Sequence, residues 1–422
     1  MADPATDPPA ELREVEESTS GRALHLLRRH DFRNLYLAVA ASELGDALHY
    51  IALMWVALEA GGPLAVVAVR LADSVPALLF GLHGGVAADR FSRRRLMVGA
   101  DLVRGAVLVP VAVAGLAGDL PLWGLVVAAF VLEAAASYFE PAYGALLPAL
   151  VERRNVQQAN ALVQASAQAI SIGGWAVAAG LLAVLPISAF FAVNAASFLV
   201  SAALIARVRR GEAATPGASA PRIREGFAAL RPVPALAAAV AVLGVAVAIS
   251  SGTWIAGVPT LVRDALHAGA GGFSLVMVGY AAGSISGGIF LARTPIRRKA
   301  LVGMCAWVLY LPSYGLLAFG GSLGIAVAGA ALAGLGQGSA VVLIRSAAQQ
   351  DVPDALLGRV MGLISLVHRG AHATGLMLVS PLFAILAPRT VFAGAALALP
   401  LVGLAGAAVV AARAGALCER RV

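Results

Sequence analysis

Several carboxylate side chains occur within apolar stretches of this sequence, where an ionised group is costly. Glu43 and Asp46 belong to the first stretch, and Glu133 and Glu140 belong to the fourth. Ionisable residues inside membrane-spanning helices generally mark a binding site or a proton pathway. Because apolar surroundings favour the neutral form of a carboxyl group, such a residue can take up and release a proton. We therefore expect these residues to contact protons or a positively charged ligand.

Glu43, Asp46 and Tyr50 follow one another at helical spacing in the first stretch. This spacing places the three side chains on one face of a helix. The two carboxylates are therefore expected to line a common cavity and to carry protons through it. The alternative is a hydrogen bond or an ion pair between neighbouring helices.

In the fourth stretch, Glu133 and Glu140 lie on one helical stripe, with Tyr143 close by. Carboxylates beside aromatic rings suit a cationic or amine-bearing amphiphile, which binds through its charge and against the ring faces. Salt bridges to Arg70 or Arg104 of neighbouring helices are the alternative.

Further polar residues lie in the second and eleventh stretches. Arg70 and Asp73 are close enough for an ion pair within one helix, which we favour slightly over substrate contact. His368 and His372 share a helical face, and histidine titrates near neutral pH, so we expect a polar pore lining or a proton relay. Two histidines so placed also occur in zinc sites, but no third ligand lies nearby in the sequence, and we expect no metal.

The composition is that of a membrane protein. Hydrophobic residues make up 60% of the chain and charged residues 13%, whereas soluble proteins average roughly 45–50% and about 25%. The net charge of +8 comes from short basic clusters between apolar runs, so no basic domain points to nucleic acid. The sequence contains no nucleotide-binding loop and no catalytic serine or cysteine motif, so we expect neither an enzyme nor a cofactor.

Apolar runs long enough to cross a membrane recur along the chain, since one spanning helix takes about 20 residues. We number each loop by the apolar run that it follows. Of the 31 basic residues, 26 lie in the termini and the even-numbered loops, and only Arg263 and Arg389 lie in odd-numbered loops. Because basic loops stay on the cytoplasmic side, we expect both termini in the cytoplasm. The twelve runs cover residues 34–58, 63–88, 96–117, 121–147, 158–184, 186–207, 233–262, 271–292, 300–318, 322–347, 357–384 and 390–412.

The longest polar stretch inside the chain follows the sixth run and divides the sequence into halves. Gly288 to Arg293, followed by Arg297 and Arg298, repeats the pattern of Gly85 to Arg94. This weak repeat predicts two parallel halves with a site where they meet. We therefore divide the chain into a cytoplasmic tail, a six-helix bundle, a cytoplasmic linker, a second six-helix bundle and a second tail, at residues 1–31, 32–207, 208–232, 233–412 and 413–422.

The loop after the second run carries the most specific motif. It contains Gly85, Asp89 and Arg90, followed by Arg93 and Arg94. It resembles the loop between the second and third helices of major facilitator superfamily transporters. Further motifs of that superfamily lie at residues 44–47, 101–104, 158–162, 352–354 and 358–361. The resemblance implies an all-α integral membrane protein with twelve transmembrane helices in two pseudo-symmetric six-helix bundles.

Within the superfamily, the sequence resembles the bacterial efflux branch that includes enterobactin-type siderophore exporters and macrolide exporters. This resemblance implies a secondary active transporter that exports a small drug-like or amphiphilic molecule across the cytoplasmic membrane by alternating access and proton antiport. We expect a small-molecule substrate, protons and membrane lipids as partners, and a monomer as the working unit. The alternatives are a dedicated exporter of a siderophore, a natural product or a lysophospholipid and, less favoured, a non-transporting membrane sensor.

The resemblance also implies roles for individual residues. Asp46 matches an acidic position of the family's first helix and becomes the leading proton-coupling residue. Asp101 and Arg104 match a pattern near the cytoplasmic end of the third helix, which we interpret as structural.

In the resembling family, the loop motif acts as a cytoplasmic latch. Its acid meets a helix N-terminus or an arginine of the other half and stabilises the outward-facing state. The alternative is that the motif only sets the orientation of the chain in the membrane. The latch residues would be Gly85, Asp89, Arg90, Arg93 and Arg94.

Overall fold

The computed structural model describes residues 25–209, 230, 233–294 and 296–419, which form helices and connecting turns without a strand. Most of the predicted N-terminal tail and of the linker, together with the last three residues, lies outside the described residues. The division of the chain at residues 31, 207, 232 and 412 remains a prediction.

The first half contains six helices. The first two, α1 (residues 30–60) and α2 (residues 63–90), lie within one continuous stretch, His30–Arg90. The stretch is broken at Gly61 and Gly62, where Gly62 has a φ of 68°. Glycine adopts this left-handed conformation without the steric cost that a Cβ would bring. The chain can therefore turn back on itself within two residues. The remaining helices are α3 (Arg93–Ala117), α4 (Leu122–Leu150), α5 (Val156–Leu181) and α6 (Ala189–Ala206).

The second half repeats this arrangement with irregular segments added. A π-helical turn, Leu261–Ala265, extends the first helix of this half, and a 3-10 turn, Ala306–Leu309, interrupts the third. The helices are α7 (Pro234–Thr260), α8 (Ala270–Arg293), α9 (Lys299–Phe319), α10 (Leu323–Asp351), α11 (Asp354–Leu378) and α12 (Pro388–Glu419). The last helix continues past residue 412, where the sequence placed its end.

Ten helical stretches of the described residues are long and apolar enough to cross a membrane, and the first of these holds both α1 and α2. The stretch that is missing from this set is α11, because His368, Arg369 and His372 make it less apolar. The predicted architecture of twelve membrane-spanning helices in two bundles is thus confirmed.

Glycines allow equivalent helices to touch in both halves. A Cβ at Gly84 of α2 would overlap the backbone carbonyl of Ser137 in α4. In the second half, a Cβ at Gly283 of α8 would overlap the carbonyl of Ala331 in α10. Close backbone approach through small residues stabilises helix pairs in membranes, where the hydrophobic effect does not hold them together. The pseudo-symmetry of the halves therefore extends to their packing.

The two halves contact each other on the side of the molecule that carries the odd-numbered loops, which are the loops that follow α1, α3, α5, α7, α9 and α11. We call this side of the molecule the arginine-poor side and the opposite one the arginine-rich side. The Oγ of Ser274 in α8 donates a 2.8 Å hydrogen bond to the carbonyl of Trp175 in α5. The guanidinium of Arg263, just after α7, donates a 2.6 Å bond to the carbonyl of Leu58 in α1. The ring of Phe273 lies beside these contacts.

The glycine contact between α2 and α4 gives a testable expectation. We expect Gly84→Ala to lower the thermal stability of the purified protein, because the new methyl group must push the two helices apart. Overpacking of this kind costs about 1–3 kcal/mol. Gly85→Ala is the matched control, because a Cβ at Gly85 meets open space. Equal melting temperatures of the two variants in the same detergent would show that α2 and α4 do not depend on this contact.

Candidate substrate and proton site

A cavity of about 460 Å³ lies among α1, α3, α4 and α5, on the arginine-rich side of the contacts between the halves. We call it the acidic cavity, because three carboxylate residues and only one basic residue line it. Its polar lining consists of Ser42, Glu43, Asp46, Arg104, Glu140, Tyr143, Gln164 and Gln168. The helical spacing in the sequence therefore brings Glu43 and Asp46 to one cavity.

Asp46 is held by neutral hydrogen-bond donors. The side-chain amide of Asn194, in α6, donates to one carboxylate oxygen at 3.1 Å, and Ser42 donates to the other at 3.4 Å. Asn194 is fully buried. A Cβ at Gly45 would overlap the side chains of Asn194 and Ser197, so this glycine lets α6 approach Asp46. The residue pair Gly45 and Asn194 thus positions the carboxylate.

Glu43 is anchored to a different helix. One oxygen of its carboxylate accepts a 3.1 Å hydrogen bond from the Oγ of Ser171, in α5. The ring of Tyr143 also lines the cavity and stacks on Phe139, with 6.4 Å between ring centroids. The two carboxylates of α1 are therefore oriented by separate neighbours, α5 for Glu43 and α6 for Asp46.

Arg104 supplies the positive charge of the acidic cavity. Its Nη1 lies 3.4 Å from the Oδ1 of Asp101, whose other oxygen accepts a 2.6 Å hydrogen bond from Ser201 in α6. The guanidinium carbon is 5.0 Å from the ring centre of Phe139 and 5.2 Å from that of Phe198. Arg104 is therefore part of a polar cavity wall as well as of the helix packing that its spacing from Asp101 indicated.

Glu140 connects the acidic cavity to the second half. One of its carboxylate oxygens lies 3.9 Å from Nη2 of Arg369 in α11, and both side chains are about two-thirds exposed, at 66% each. Glu133 lies two helical turns before Glu140 on α4. It is half-buried and interacts electrostatically with Asp73 and Glu140. It does not belong to the polar lining of the acidic cavity given above. The stripe of α4 therefore places only Glu140 at the cavity wall.

Arg70 and Asp73 form an ion pair within α2. The Arg70 guanidinium also stands 5.8 Å from the ring centre of Tyr50 in α1. Because the two charges offset each other, this pair adds little net charge to the space between α1 and α2.

A smaller cavity of about 180 Å³ lies in the second half, and we call it the aromatic cavity. Its polar and aromatic lining consists of Ser250, Ser251, Trp254, Tyr280, Tyr310, Tyr314, Gln337, His368 and His372. Tyr310 donates a 3.0 Å hydrogen bond to Gln337. Trp254 and Tyr280 are in ring contact, with 4.8 Å between centroids. The structure thus brings His368 and His372 to one site, and among the described residues no metal-binding group of three acids, histidines or cysteines includes them.

Comparison with protein families identifies the molecule that carries these cavities. The model of the transmembrane secretion effectors, a family of the major facilitator superfamily, matches residues 22–416. The chain belongs to this family. The transporter is therefore a multi-pass membrane protein of the efflux branch and not an enzyme, as the loop motif and composition predicted.

Individual relatives agree with this assignment. Macrolide efflux protein A of Streptococcus pyogenes is 28% identical over 180 residues, which are 42% of this chain and 44% of that protein. The uncharacterized MFS-type transporter YvqJ of Bacillus subtilis (strain 168) is 22% identical over 67% of this chain and 69% of that protein. A crystal structure of a mutant of the nucleoside transporter NupG has a TM-score of 0.70 at 12% identity, covering 90% of this chain and 99% of that one. The match thus spans less than half the length of macrolide efflux protein A, whereas the fold shared with the nucleoside transporter covers 90% of this chain.

The predicted latch residues of the transporter lie at the arginine-rich end of α2 and α3. Arg93 is buried and its Nη1 donates to the carbonyl of Ala145 at 3.1 Å. Nη1 of Arg94 donates to the carbonyl of Val208 at 2.9 Å. The first acceptor lies in α4 and the second lies just after α6.

The exposed members of the latch are Asp89 and Arg90, at the C-terminal end of α2. Gly85 lies one turn earlier, with open space around it. The role of this motif as a latch remains a prediction.

The surroundings of the charged residues predict different effects on stability. We expect Asp101→Asn to destabilise the transporter strongly, because it leaves the buried Arg104 without its ionic partner; breaking a buried pair costs about 3–5 kcal/mol. Glu140→Gln changes charge in the same way, but its pair with Arg369 is exposed and contributes about 0–1 kcal/mol. Thermal unfolding in one detergent compares the two variants. A larger loss for Glu140→Gln would contradict the assigned environments.

Proposed function

We propose that this transporter exports lipophilic organic cations from the cytoplasm in exchange for protons, with Asp46 as the principal coupling carboxylate. The observation that carries the proposal is the acidic cavity, in which Glu43, Asp46 and Glu140 face a single basic residue, Arg104. An excess of carboxylates in a membrane-embedded cavity favours a cation or protons as its occupant.

The aromatic cavity supports the same substrate class. Its tyrosine rings and Trp254 offer π faces that attract a cation, and their apolar surfaces suit a lipophilic body. A molecule with one amine and a large apolar frame would place its charge near Asp46 and its frame against the second half. Macrolide efflux protein A is by its name an exporter of macrolides, and this similarity favours a drug-like organic cargo.

The direction of transport follows from orientation in the membrane. Because basic loops stay in the cytoplasm, the arginine-rich side would face the cytoplasm and both termini would lie there. The acidic cavity lies on that side of the contacts that join the halves. In this orientation the site is loaded from the cytoplasm, as export requires, and the protein resides in the bacterial cytoplasmic membrane.

Exchange of cargo for protons needs one carboxylate that holds either of them. A proton on Asp46 makes this residue neutral, and a bound cation replaces that proton, which leaves to the cytoplasm. The neutral donors Asn194 and Ser42 can hydrogen-bond to the carboxylate in both conditions. Glu43 and Glu140 add negative charge that attracts the cargo. His368 and His372, which line the aromatic cavity, are candidate proton carriers.

The latch would control which side is open. In this proposal Gly85, Asp89, Arg90, Arg93 and Arg94 close the cytoplasmic side when Asp89 meets the second half. Arg93 donates to the carbonyl of Ala145 in α4 and Arg94 to that of Val208, just after α6, and these bonds hold the loop in place. The exposed Asp89 and Arg90 would form the contacts of the closed state.

Proteoliposomes that contain a pH-sensitive dye test the proposal. We expect tetraphenylphosphonium, a lipophilic cation, to drive proton movement across the membrane. Asp46→Asn should abolish this movement, because an amide cannot carry a proton or offset a cation. Asp119→Asn is the matched control: this aspartate is exposed in the connection between α3 and α4, far from the cavity.

Two results would contradict the proposal. Proton movement driven only by anionic amphiphiles would point to a siderophore-like cargo. An Asp46→Asn transporter that moves protons as well as the original would remove Asp46 from the coupling mechanism.

A further inference from the structure

We infer that Arg104 is an internal counter-ion of Asp46, a resident cation that competes with both the proton and the cargo for this carboxylate. This inference rests on the proposed function, since it explains how the affinity of the same site is set. The interpretation from sequence was structural, because Asp101 and Arg104 stand at the spacing of an intrahelical pair.

The position of Arg104 is the first observation. It lies in α3 and is buried, with 8% of its surface exposed, yet it lines the acidic cavity together with Asp46. Asp46 interacts electrostatically with Arg104, and Asp101 interacts with both. The guanidinium therefore lines the same cavity as Asp46 of α1, while its ion-pair partner at 3.4 Å is Asp101 of α3.

The balance of charge is the second observation. Asp101 is fully buried, with 0% exposure, and the 2.6 Å bond from Ser201 leaves it one oxygen for Arg104. If Asp46 and Asp101 were both ionised, the cluster would carry one uncompensated negative charge. An uncompensated charge inside a membrane protein is unfavourable unless water reaches it, and Asp46 is exposed to the cavity. A proton or a bound cation at Asp46 removes that excess.

Other charged groups around Arg104 do not correct this balance. Glu133 on α4 also interacts with Arg104 and adds negative charge. Glu43 and Glu140 line the same cavity, and Asp73 of α2 is paired with Arg70. The helices α5 and α6 carry no charged side chain. From the second half, Arg369 reaches Glu140 at 3.9 Å.

The aromatic neighbours are the third observation. The rings of Phe139 and Phe198 lie against the Arg104 guanidinium, with ring centres 5.0 and 5.2 Å from the guanidinium carbon. Ring faces attract a desolvated guanidinium through the negative charge of their π-systems. The two rings hold the Arg104 guanidinium in the wall of the cavity that contains Asp46, although its ion pair is with Asp101. Asp46, by contrast, accepts its hydrogen bonds from neutral groups.

In the transport cycle, Arg104 would therefore set how strongly Asp46 attracts a proton or a cation. With Asp46 ionised and empty, Arg104 offsets part of its charge, which keeps the open cavity stable. When a proton or a cation arrives, Arg104 pairs with Asp101 alone. The cargo has to compete with this resident charge, so it binds less tightly and can be released on the other side.

Substitution of Arg104 tests the inference. We expect purified Arg104→Gln to bind tetraphenylphosphonium about tenfold more tightly at alkaline pH, measured by calorimetry. The pH at which the apparent affinity for this cation falls to half of its alkaline value should move upward by about one unit, since a nearby opposite charge has an effect of this size. Arg104→Lys should stay close to the original protein. Arg33→Gln, at an exposed position at the start of α1, controls for the loss of one positive charge.

Asp101→Asn gives the opposite sign, and thermal unfolding first establishes that this less stable variant is folded at the temperature of the binding measurement. It leaves Arg104 to Asp46 alone, so cation binding should weaken about tenfold. Unchanged affinity and pH midpoint in Arg104→Gln, or weaker binding by it at every pH, would overturn the inference. In Asp101→Asn, unchanged or tighter binding would overturn it as well.

A cargo-free measurement separates this inference from the proposed function. Infrared titration of the protonated carboxyl band follows Asp46 directly, with Asp46→Asn as the reference. If no cation binds but the band moves to higher pH in Arg104→Gln, the substrate class is wrong and the counter-ion stands. If cations bind and the band does not move, the proposed function stands and the counter-ion is wrong.

Discussion

The cost of a charge in a membrane interior constrains this structure more than any other interaction. Each ionisable residue inside a helix must be neutral, paired or exposed to a water-filled cavity. The transporter uses all of these solutions. Arg70 and Asp73 neutralise each other within one helix, whereas Glu140 and Arg369 meet in exposed positions between the halves. The cluster around Arg104 is different because its charges do not balance, and in the proposed function this imbalance is what a proton or a cationic ligand would correct.

The two halves share a backbone plan but carry different chemistry. Equivalent glycine contacts join α2 to α4 and α8 to α10. The cavity of the first half is acidic, whereas that of the second is lined by aromatic rings and histidines. One half can therefore attract charge and exchange protons while the other provides shape and apolar surface. A pseudo-symmetric fold permits this division, because packing depends on the small residues at helix contacts and leaves the cavity-facing positions free to differ.

Much of the fold could be predicted from the sequence, because hydropathy and charge asymmetry act locally along the chain. The break between α1 and α2 falls at Gly61 and Gly62, inside the polar gap that separates the first two runs. The grouping of Glu43 with Asp46 followed from helical spacing alone. The last helix was predicted too short, because its apolar pattern weakens before the helix ends at Glu419.

The partners of the site residues could not be predicted in the same way. Asn194 reaches Asp46 from a helix almost 150 positions away, and Arg369 reaches Glu140 from the other half. Such contacts depend on how far helices approach and rotate, which local pattern does not encode. A polar asparagine within an apolar run was the available signal for Asn194. Arg104 was assigned to its nearest acid, Asp101, or to the glutamates of the fourth stretch, and no local pattern indicated that it also lines a cavity with Asp46.

The bond between Arg263 and the carbonyl of Leu58 has a further consequence. It joins the halves at the end of a helix, where backbone carbonyls have no partner within the helix and need one from outside. Water can serve both groups equally well once the halves separate, so little free energy is lost when this bond is exchanged. In the proposed transport cycle, apolar contacts such as those of Phe273 with Tyr50 and Trp55, which water cannot replace, would then set the barrier to opening on the arginine-poor side. This closure would combine an apolar contact with a polar rim that water can hydrate as the halves separate.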